Sequence, residues 1–238
     1  MVDSQMQLMF KVDPEKAAKE IQGFLIMEKA LPNHTLPLLA SDPSVGWLCV
    51  PYVSAANLHR VIEKSLLSDT QVLAVYDDFL RQMSALWIRT FDDKPADNQF
   101  FIKRLQRKKS NLKSLTVPST IAHSLSFAEL FSMPIQVNGN VFPPINEMTN
   151  VAVDLLAQNP ASHSVTAHGD EHAKNILIQT PMVDEGLHWF LIDLPNVRSE
   201  ADWVWSIAQM RQWWQASFYI DQATCSEAQN RVPLRFDI

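Results

Sequence analysis

Glycine is the residue this chain nearly does without. Only Gly23, Gly46, Gly139, Gly169 and Gly186 occur in 238 residues, where an average usage of about 7% would give about 17. No two lie close enough for a G-x-G-x-x-G turn or a Walker loop, motifs whose backbone amides approach a phosphate only where Cβ atoms are absent. Any phosphate chemistry in this chain therefore has to be done without a glycine-rich cradle. Apolar residues make up 47% and charged residues 19%, enough to bury a core. No apolar run approaches the roughly 18 residues that cross a membrane. Twenty Lys and Arg against 26 Asp and Glu leave a net charge of −6, a balance that disfavours nucleic acid and anionic membranes as partners. Two cysteines, Cys49 and Cys225, and a start (MVDSQMQLMF) without the basic-then-apolar layout of a signal peptide lead us to expect a cytoplasmic setting.

Along the chain, Leu8–Val12 reads as a strand. Asp13-Pro14-Glu15 follows as a helix start, with Asp as N-cap and Pro at the first helical position. Ala17, Ala18, Ile21, Phe24, Leu25 and Ala30 are spaced as the buried stripe of that helix. Leu36–Ala40 and Trp47–Val53 look like two strands joined by the turn Ser41-Asp42-Pro43-Ser44. From Ala56 onward helical periodicity takes over, in Leu58–Leu67 and in Thr70–Thr90, where Val72, Val75, Phe79, Met83, Leu86 and Trp87 share a face. Pro51–Asn57 is the hinge candidate between the two parts. Asp97–Leu115 is a predicted helix with Lys103, Arg104, Arg107, Lys108, Lys109 and Lys113, read as a solvated face. Further helices are expected around Ser119–Ser132 and Asn146–Gln158. Trp203, Trp205, Trp213 and Trp214 read as packing residues.

The densest polar constellation runs from His168-Gly169-Asp170-Glu171-His172 through Lys174-Asn175 to Ile192-Asp193. Ile176–Gln179 and Trp189–Ile192 read as strands of an antiparallel hairpin, around a loop holding Pro181 and Gly186. Such a hairpin brings the start of one strand beside the end of the other. Asn175 and Asp193 would thus meet at one end of the ladder, with Asp170 on the loop entering it. An amide oxygen and a carboxylate suit a hard cation such as Mg²⁺, and a second carboxylate nearby can accept a hydroxyl proton. His163, His168 and His172 lack the H-E-x-x-H spacing of a zinc hydrolase.

His168-Gly-Asp170-x-x-x-x-Asn175 followed by Ile192-Asp193 resembles the catalytic and metal-binding loops of the aminoglycoside phosphotransferase and choline kinase group. These are small-molecule kinases with a protein-kinase-like fold. The resemblance implies an α+β, two-lobed chain: residues 1–55 as a truncated N-terminal sheet lobe, residues 56–238 as a mainly helical C-terminal lobe. It implies Asp170 as catalytic base with His168 in its loop, and Asn175 and Asp193 as Mg²⁺ ligands. Lys11 and Glu20 would form the phosphate-contacting ion pair, with Glu15 or Glu28 as alternative partners of the lysine. Backbone groups of Val50, Pro51, Tyr52 and Val53 would hold the base of ATP or GTP, and a small hydroxylated molecule would accept the phosphate. The aspartate of Asp202–Ala208 would steady the catalytic loop. Seven residues precede Leu8, so the expectation is a sheet lobe without its first, glycine-bearing hairpin. Glu171 stands at a usually apolar position of the group, Ser206 where a second aspartate is common, and Leu194-Pro195 where an aromatic residue is frequent.

Overall fold

A computed structural model describes residues 7–113, 127–137, 140–179 and 188–213. In chain order they form β1 (Leu8–Val12), α1 (Ala17–Ala30), β2 (Ala40–Asp42), β3 (Trp47–Pro51), β4 (Ala55–Asn57), α2 (Leu58–Glu63), α3 (Asp69–Arg89) and α4 (Gln99–Lys113). There follow α5 (Phe127–Ser132), β5 (Ile135–Val137), β6 (Asn140–Phe142), α6 (Ile145–Gln158), β7 (Val165–Ala167), β8 (Ile176–Gln179), β9 (Trp189–Leu191), β10 (Arg198–Ala201) and α7 (Trp203–Gln212). The fold class is mixed α+β with small antiparallel sheets. Two compact units emerge, the chain leaving the first after Ala96 and returning to it at Ser162. The expected helix onset at 119–126, the loop with Pro181 and Gly186, Trp214 and the chain after it lie outside the described residues.

In the first unit β1, β3 and β2 make a sheet in the order β1-β3-β2. Lys11 is opposite Leu48 and Met9 opposite Val50. Gly46, at φ +84°, turns the chain into β3, and the Asp42 carboxylate accepts the Ser44 and Val45 amides in that turn. The second strand begins at Ala40 rather than Leu36. Thr35 instead makes a parallel bridge to Leu191, and Pro37 has no amide to give to a ladder. Helix α1 starts at Ala17, three residues later than the Asp-Pro-Glu signal suggests. Asp13, just past β1, is held to the turn before β3, its N–H donating to the Gly46 carbonyl at 2.9 Å, while its carboxylate closes a separate turn by accepting the Lys16 amide at 3.1 Å. The buried arc of α1 runs through Ala17, Glu20, Ile21, Gly23, Phe24 and Met27. Leu25, expected in that stripe, is 51% exposed.

Strands β4, β8 and β9 form a second antiparallel sheet, with Ile176 opposite Leu191 and Ile178 opposite Trp189. Asn57 and Ser68 cap α2 and α3, the latter through a reciprocal capping box with Gln71, each cap satisfying amides that the first turn leaves open. Helix α3 buries Val75, Phe79, Met83, Leu86 and Trp87, the face its periodicity predicts, against Leu58, Ile176 and Leu191 in one core. Trp189 fixes β9 within that core. Its Nε1–H donates to Asp78 Oδ2 at 2.8 Å, its ring stacks on His34 with centroids 3.8 Å apart, and its carbonyl accepts the His34 Nδ1–H at 3.0 Å. Trp213 is buried, whereas Trp203 is 48% exposed and leans on Trp87. Strand β7 pairs antiparallel with β10, bracketing the segment that starts at His168.

The second unit holds α4, α5, α6 and the β5–β6 hairpin, with Phe101, Ile102 and Phe131 buried. Asn98 donates to the Leu156 carbonyl at 3.0 Å and Lys109 to Asn150 Oδ1 at 2.6 Å, tying α6 to α4. Lys103, Arg107 and Lys108 are exposed on α4. Among the described residues no helix is long and apolar enough to cross a membrane.

Candidate functional site

Strand β1 and helix α1 meet at an ion pair. Lys11 Nζ lies 2.8 Å from Glu20 Oε1 and 2.7 Å from Oε2, and 3.4 Å from Asp193 Oδ1. The Glu20 side chain is 4% exposed against 37% for Lys11 and 45% for Asp193, so the lysine bridges a buried carboxylate and one that faces solvent. Burial pulls the Lys11 pKa down, but the hydrogen bond and charge of Glu20, followed by Asp193, outweigh it and leave it above 10.5. Of the acids that α1 offers, Glu20 is the one turned inward.

Asp193 follows β9 with φ +59°, a left-handed conformation that Asp and Asn adopt more readily than other side chains. The turn after it is pressed against α1. A Cβ on Gly23 would lie 2.0 Å from the Leu194 carbonyl oxygen. Helix and loop therefore touch backbone to backbone, which brings Glu20 and Asp193 to one lysine. A glycine inside a helix weakens it by about 1 kcal/mol, and the close approach is its structural return.

Asn175 ends a 3₁₀ turn (Ala173–Asn175). Its carbonyl accepts the Ile192 amide at 3.0 Å, extending the β8–β9 ladder by one pair. Its side-chain Nδ2–H donates to the Asp170 carbonyl at 3.0 Å, leaving Oδ1 as the atom able to face a cation. His168 is wholly buried. Its Nε2 lies 2.8 Å from the Ile192 carbonyl and its Nδ1 3.3 Å from the Asp170 amide. A carbonyl only accepts and an amide only donates, so the proton sits on Nε2 and Nδ1 is bare. His168 thus joins the loop carrying Asp170 to the segment carrying Asp193.

Glu171 is buried as well. Its Oε1 accepts the His168 amide at 2.9 Å and the Ser206 hydroxyl at 2.6 Å. The Asp202 carboxylate caps its own helix instead, accepting the Val204 amide at 2.9 Å, so the carboxylate that steadies the loop comes from within it. A lone Glu after Asp170 carries no sequence signal for that role. Gly169, at φ +80°, lets the loop turn where a Cβ would lie 2.5 Å from the Asn196 carbonyl.

Lys11, Glu20, Asn175 and Asp193 share a cavity of 510 Å³ with Val50, Pro51, Tyr52 and Val53. Its volume is within the usual range for a small-molecule site. Met9, Phe24, Leu36 and Leu48 make its remaining walls largely apolar. Asp170 and His168 do not line it. Asp170 is joined to Asn175 through its backbone, its side chain is 15% exposed, and His172 Nε2 stands 3.9 Å from its Oδ2. Among the described residues no three His, Cys, Asp or Glu side chains gather as a metal centre. The Asn175 amide and the Asp193 carboxylate are oxygen donors suited to Mg²⁺, which commonly takes one or two protein oxygens and completes its shell with water and phosphate. Comparison with protein-family models and with curated proteins found no match to the chain.

Proposed function

We propose that the chain is a kinase-like small-molecule O-phosphotransferase, with residues 1–55 as a sheet lobe and 56–238 as the mainly helical lobe. The observation that carries this reading is the meeting of Lys11, Glu20 and Asp193 in the lining of the cavity that Val50–Val53 also line. A lysine–glutamate pair beside a metal-binding aspartate is the arrangement on which phosphoryl transfer in kinases depends. The base of ATP or GTP would lie against Val50, Pro51, Tyr52 and Val53, with Lys11 on the phosphates. Asn175 and Asp193 would hold Mg²⁺, which when bound neutralises charge on the phosphate oxygens. Asp170, with His168 holding its loop, would take the proton of an acceptor hydroxyl. Oxygen of that hydroxyl bonds to the γ-phosphorus, and the bond to the β–γ bridging oxygen breaks.

The test is a nucleotide titration with and without Mg²⁺. Mg²⁺-dependent binding that is lost in Asp193→Asn, a change the left-handed backbone tolerates, supports the reading. Binding that is absent, or indifferent to Mg²⁺ and to Asp193, overturns it.

One observation favours a second reading, nucleotide binding without transfer. Strand β1 pairs only with β3 among the described residues, and Leu8, Phe10 and Val12 on it are exposed, so these residues supply no backbone cradle over the phosphates. Turnover of a hydroxylated acceptor that disappears in Asp170→Asn decides for the transferase. Mg²⁺-dependent binding without turnover decides for the binding protein.

A further inference from the structure

The site has two halves, a loop bearing Asp170 and Asn175 and a segment bearing Asp193. Their relative height is set by a chain of short hydrogen bonds in which every linking side chain is buried. Glu171 Oε1 accepts the His168 amide at 2.9 Å and the Ser206 hydroxyl at 2.6 Å, and Glu171, His168 and Ser206 are each 0% exposed. The His168 ring then reaches both halves, donating from Nε2 to the Ile192 carbonyl at 2.8 Å and accepting the Asp170 amide at Nδ1 at 3.3 Å. Ile192 directly precedes Asp193. One carboxylate oxygen thus anchors the residue whose two ring nitrogens hold the backbones of Asp170 and of the metal-loop strand.

Nothing in the stability of the loop alone calls for an acid at this place. Glu171 Oε2 is buried and has no hydrogen-bond partner among the described residues, and an unsatisfied buried oxygen is destabilising. A smaller neutral acceptor would hold one amide without that penalty. What the carboxylate adds is reach and a strong acceptor for two donors at once, one on the loop and one on α7, so the loop is pinned to the helix beneath it.

We propose that Glu171, with Ser206, is the positioning pair of this site: it acts through His168 to set Asp170 and Asn175 against Asp193, and touches neither nucleotide nor metal itself. This rests on the functional reading above in so far as it concerns Mg²⁺ and nucleotide. Outer hydrogen-bond partners of metal ligands typically matter by 10–100-fold in metal affinity, which sets the size of effect to look for.

The experiment compares the full chain with Glu171→Leu, with Ser206→Ala and with the exchange Glu171→Leu/Ser206→Asp, which moves the carboxylate onto α7. A trinitrophenyl-ATP titration is run with Mg²⁺ and with EDTA, and the readout is the ratio of the two affinities. A defect that only loosens the fold lowers both affinities together and leaves the ratio alone. The positioning role requires the ratio to fall about 10–100-fold in Glu171→Leu, less in Ser206→Ala, and to recover in the exchange variant. A folded Glu171→Leu protein with the ratio of the parent overturns the proposal. In parallel, the His168 Nε2–H resonance and the exchange of the Asp170 amide are followed by NMR. These signals do not depend on any ligand, so they decide the proposal even where the parent binds no nucleotide and the functional reading has failed. Loss of protection at both protons in Ser206→Ala or Glu171→Leu, restored by the exchange, supports the pair. Unchanged protection overturns it. If Glu171→Leu does not fold, the same two readouts on Ser206→Ala decide.

Discussion

Lys11 and Asp193, 182 residues apart, stand 3.4 Å from each other across one ion-paired centre, and Glu20 closes it from helix α1. Each arrives by a different route. Lys11 is placed by the ladder between β1 and β3, Glu20 by the inward arc of α1, and Asp193 by the anchored end of β9. The contact between α1 and the segment after Asp193 brings the three together, and it passes through Gly23.

Substitution of Gly23 by alanine should therefore strike stability and site together. A Cβ there would lie 2.0 Å from the Leu194 carbonyl oxygen, and backbone cannot swing aside as a flexible side chain can. Alanine gains up to about 1 kcal/mol in helix propensity, but forced overpacking costs about 1–3 kcal/mol, so the net change is destabilising. A lower urea midpoint, accompanied by weaker Mg²⁺-dependent nucleotide binding, is the expected result. A midpoint at or above that of the parent contradicts the packing described for Leu194.

The ion pair should respond more to loss of one partner than to loss of both. Lys11→Met leaves Glu20 buried without its cation and should cost about 1–3 kcal/mol, lessened because the lysine is partly exposed. Adding Glu20→Met should recover most of that, since an apolar pair replaces a buried charge that has no partner. A double-mutant cycle in urea measures the coupling. The pH dependence has a fixed sign. The folded-state pKa of Lys11 is raised above 10.5, so its contribution is fully present below that value and is lost as pH rises through the folded pKa. Alkaline unfolding should begin from a less steep slope in the double variant.

On the acid side, His34 is the group to watch. Burial against Trp189 lowers its pKa below 6.5, against the opposing influence of its hydrogen bond to the Trp189 carbonyl. The unfolded chain then binds the proton first, so stability is greatest above 6.5 and declines as pH falls toward the folded pKa. His34→Phe, which keeps a ring against Trp189, should flatten that decline. Urea midpoints recorded from pH 7 downward test it, and an equally steep fall in the variant would assign the acid response elsewhere.

Metal removal supplies a fourth prediction. Chelation should weaken nucleotide binding in the parent, because Mg²⁺ would neutralise phosphate charge at the site, and have no further effect in Asp193→Asn. Isothermal titration with and without EDTA measures both. A chelator effect of the same size in the variant would show that the cation is held somewhere other than Asp193.

Local pattern carried a good share of this structure. The strand at Leu8–Val12 and the pairing of β8 with β9 follow from short apolar runs bounded by turn signals, and the face of α3 from a period of 3.6 residues; the β8–β9 pairing alone brings Asn175 to Ile192. Local signals failed where backbone commitments overrode them: residues 14–16 form a turn before α1 begins, with Asp13 held to Gly46, and the strand expected from Leu36 begins only at Ala40, Thr35 being bridged to Leu191 instead. The β5–β6 hairpin went unread although Asn138-Gly139, a strong turn dipeptide, lies between its strands in sequence.

Which residue types could form the site was set by the chain itself, because an acid, an amide and a lysine with ordered spacing, and glycines too few to cradle a phosphate, are facts of composition and order. Which of Glu15, Glu20 and Glu28 meets Lys11, why Gly23 is a glycine, and why the buried acid beneath the loop is Glu171 rather than Asp202 were decided only in three dimensions. Each depends on a contact between segments distant in sequence, and no local period records the distance at which two backbones come to rest.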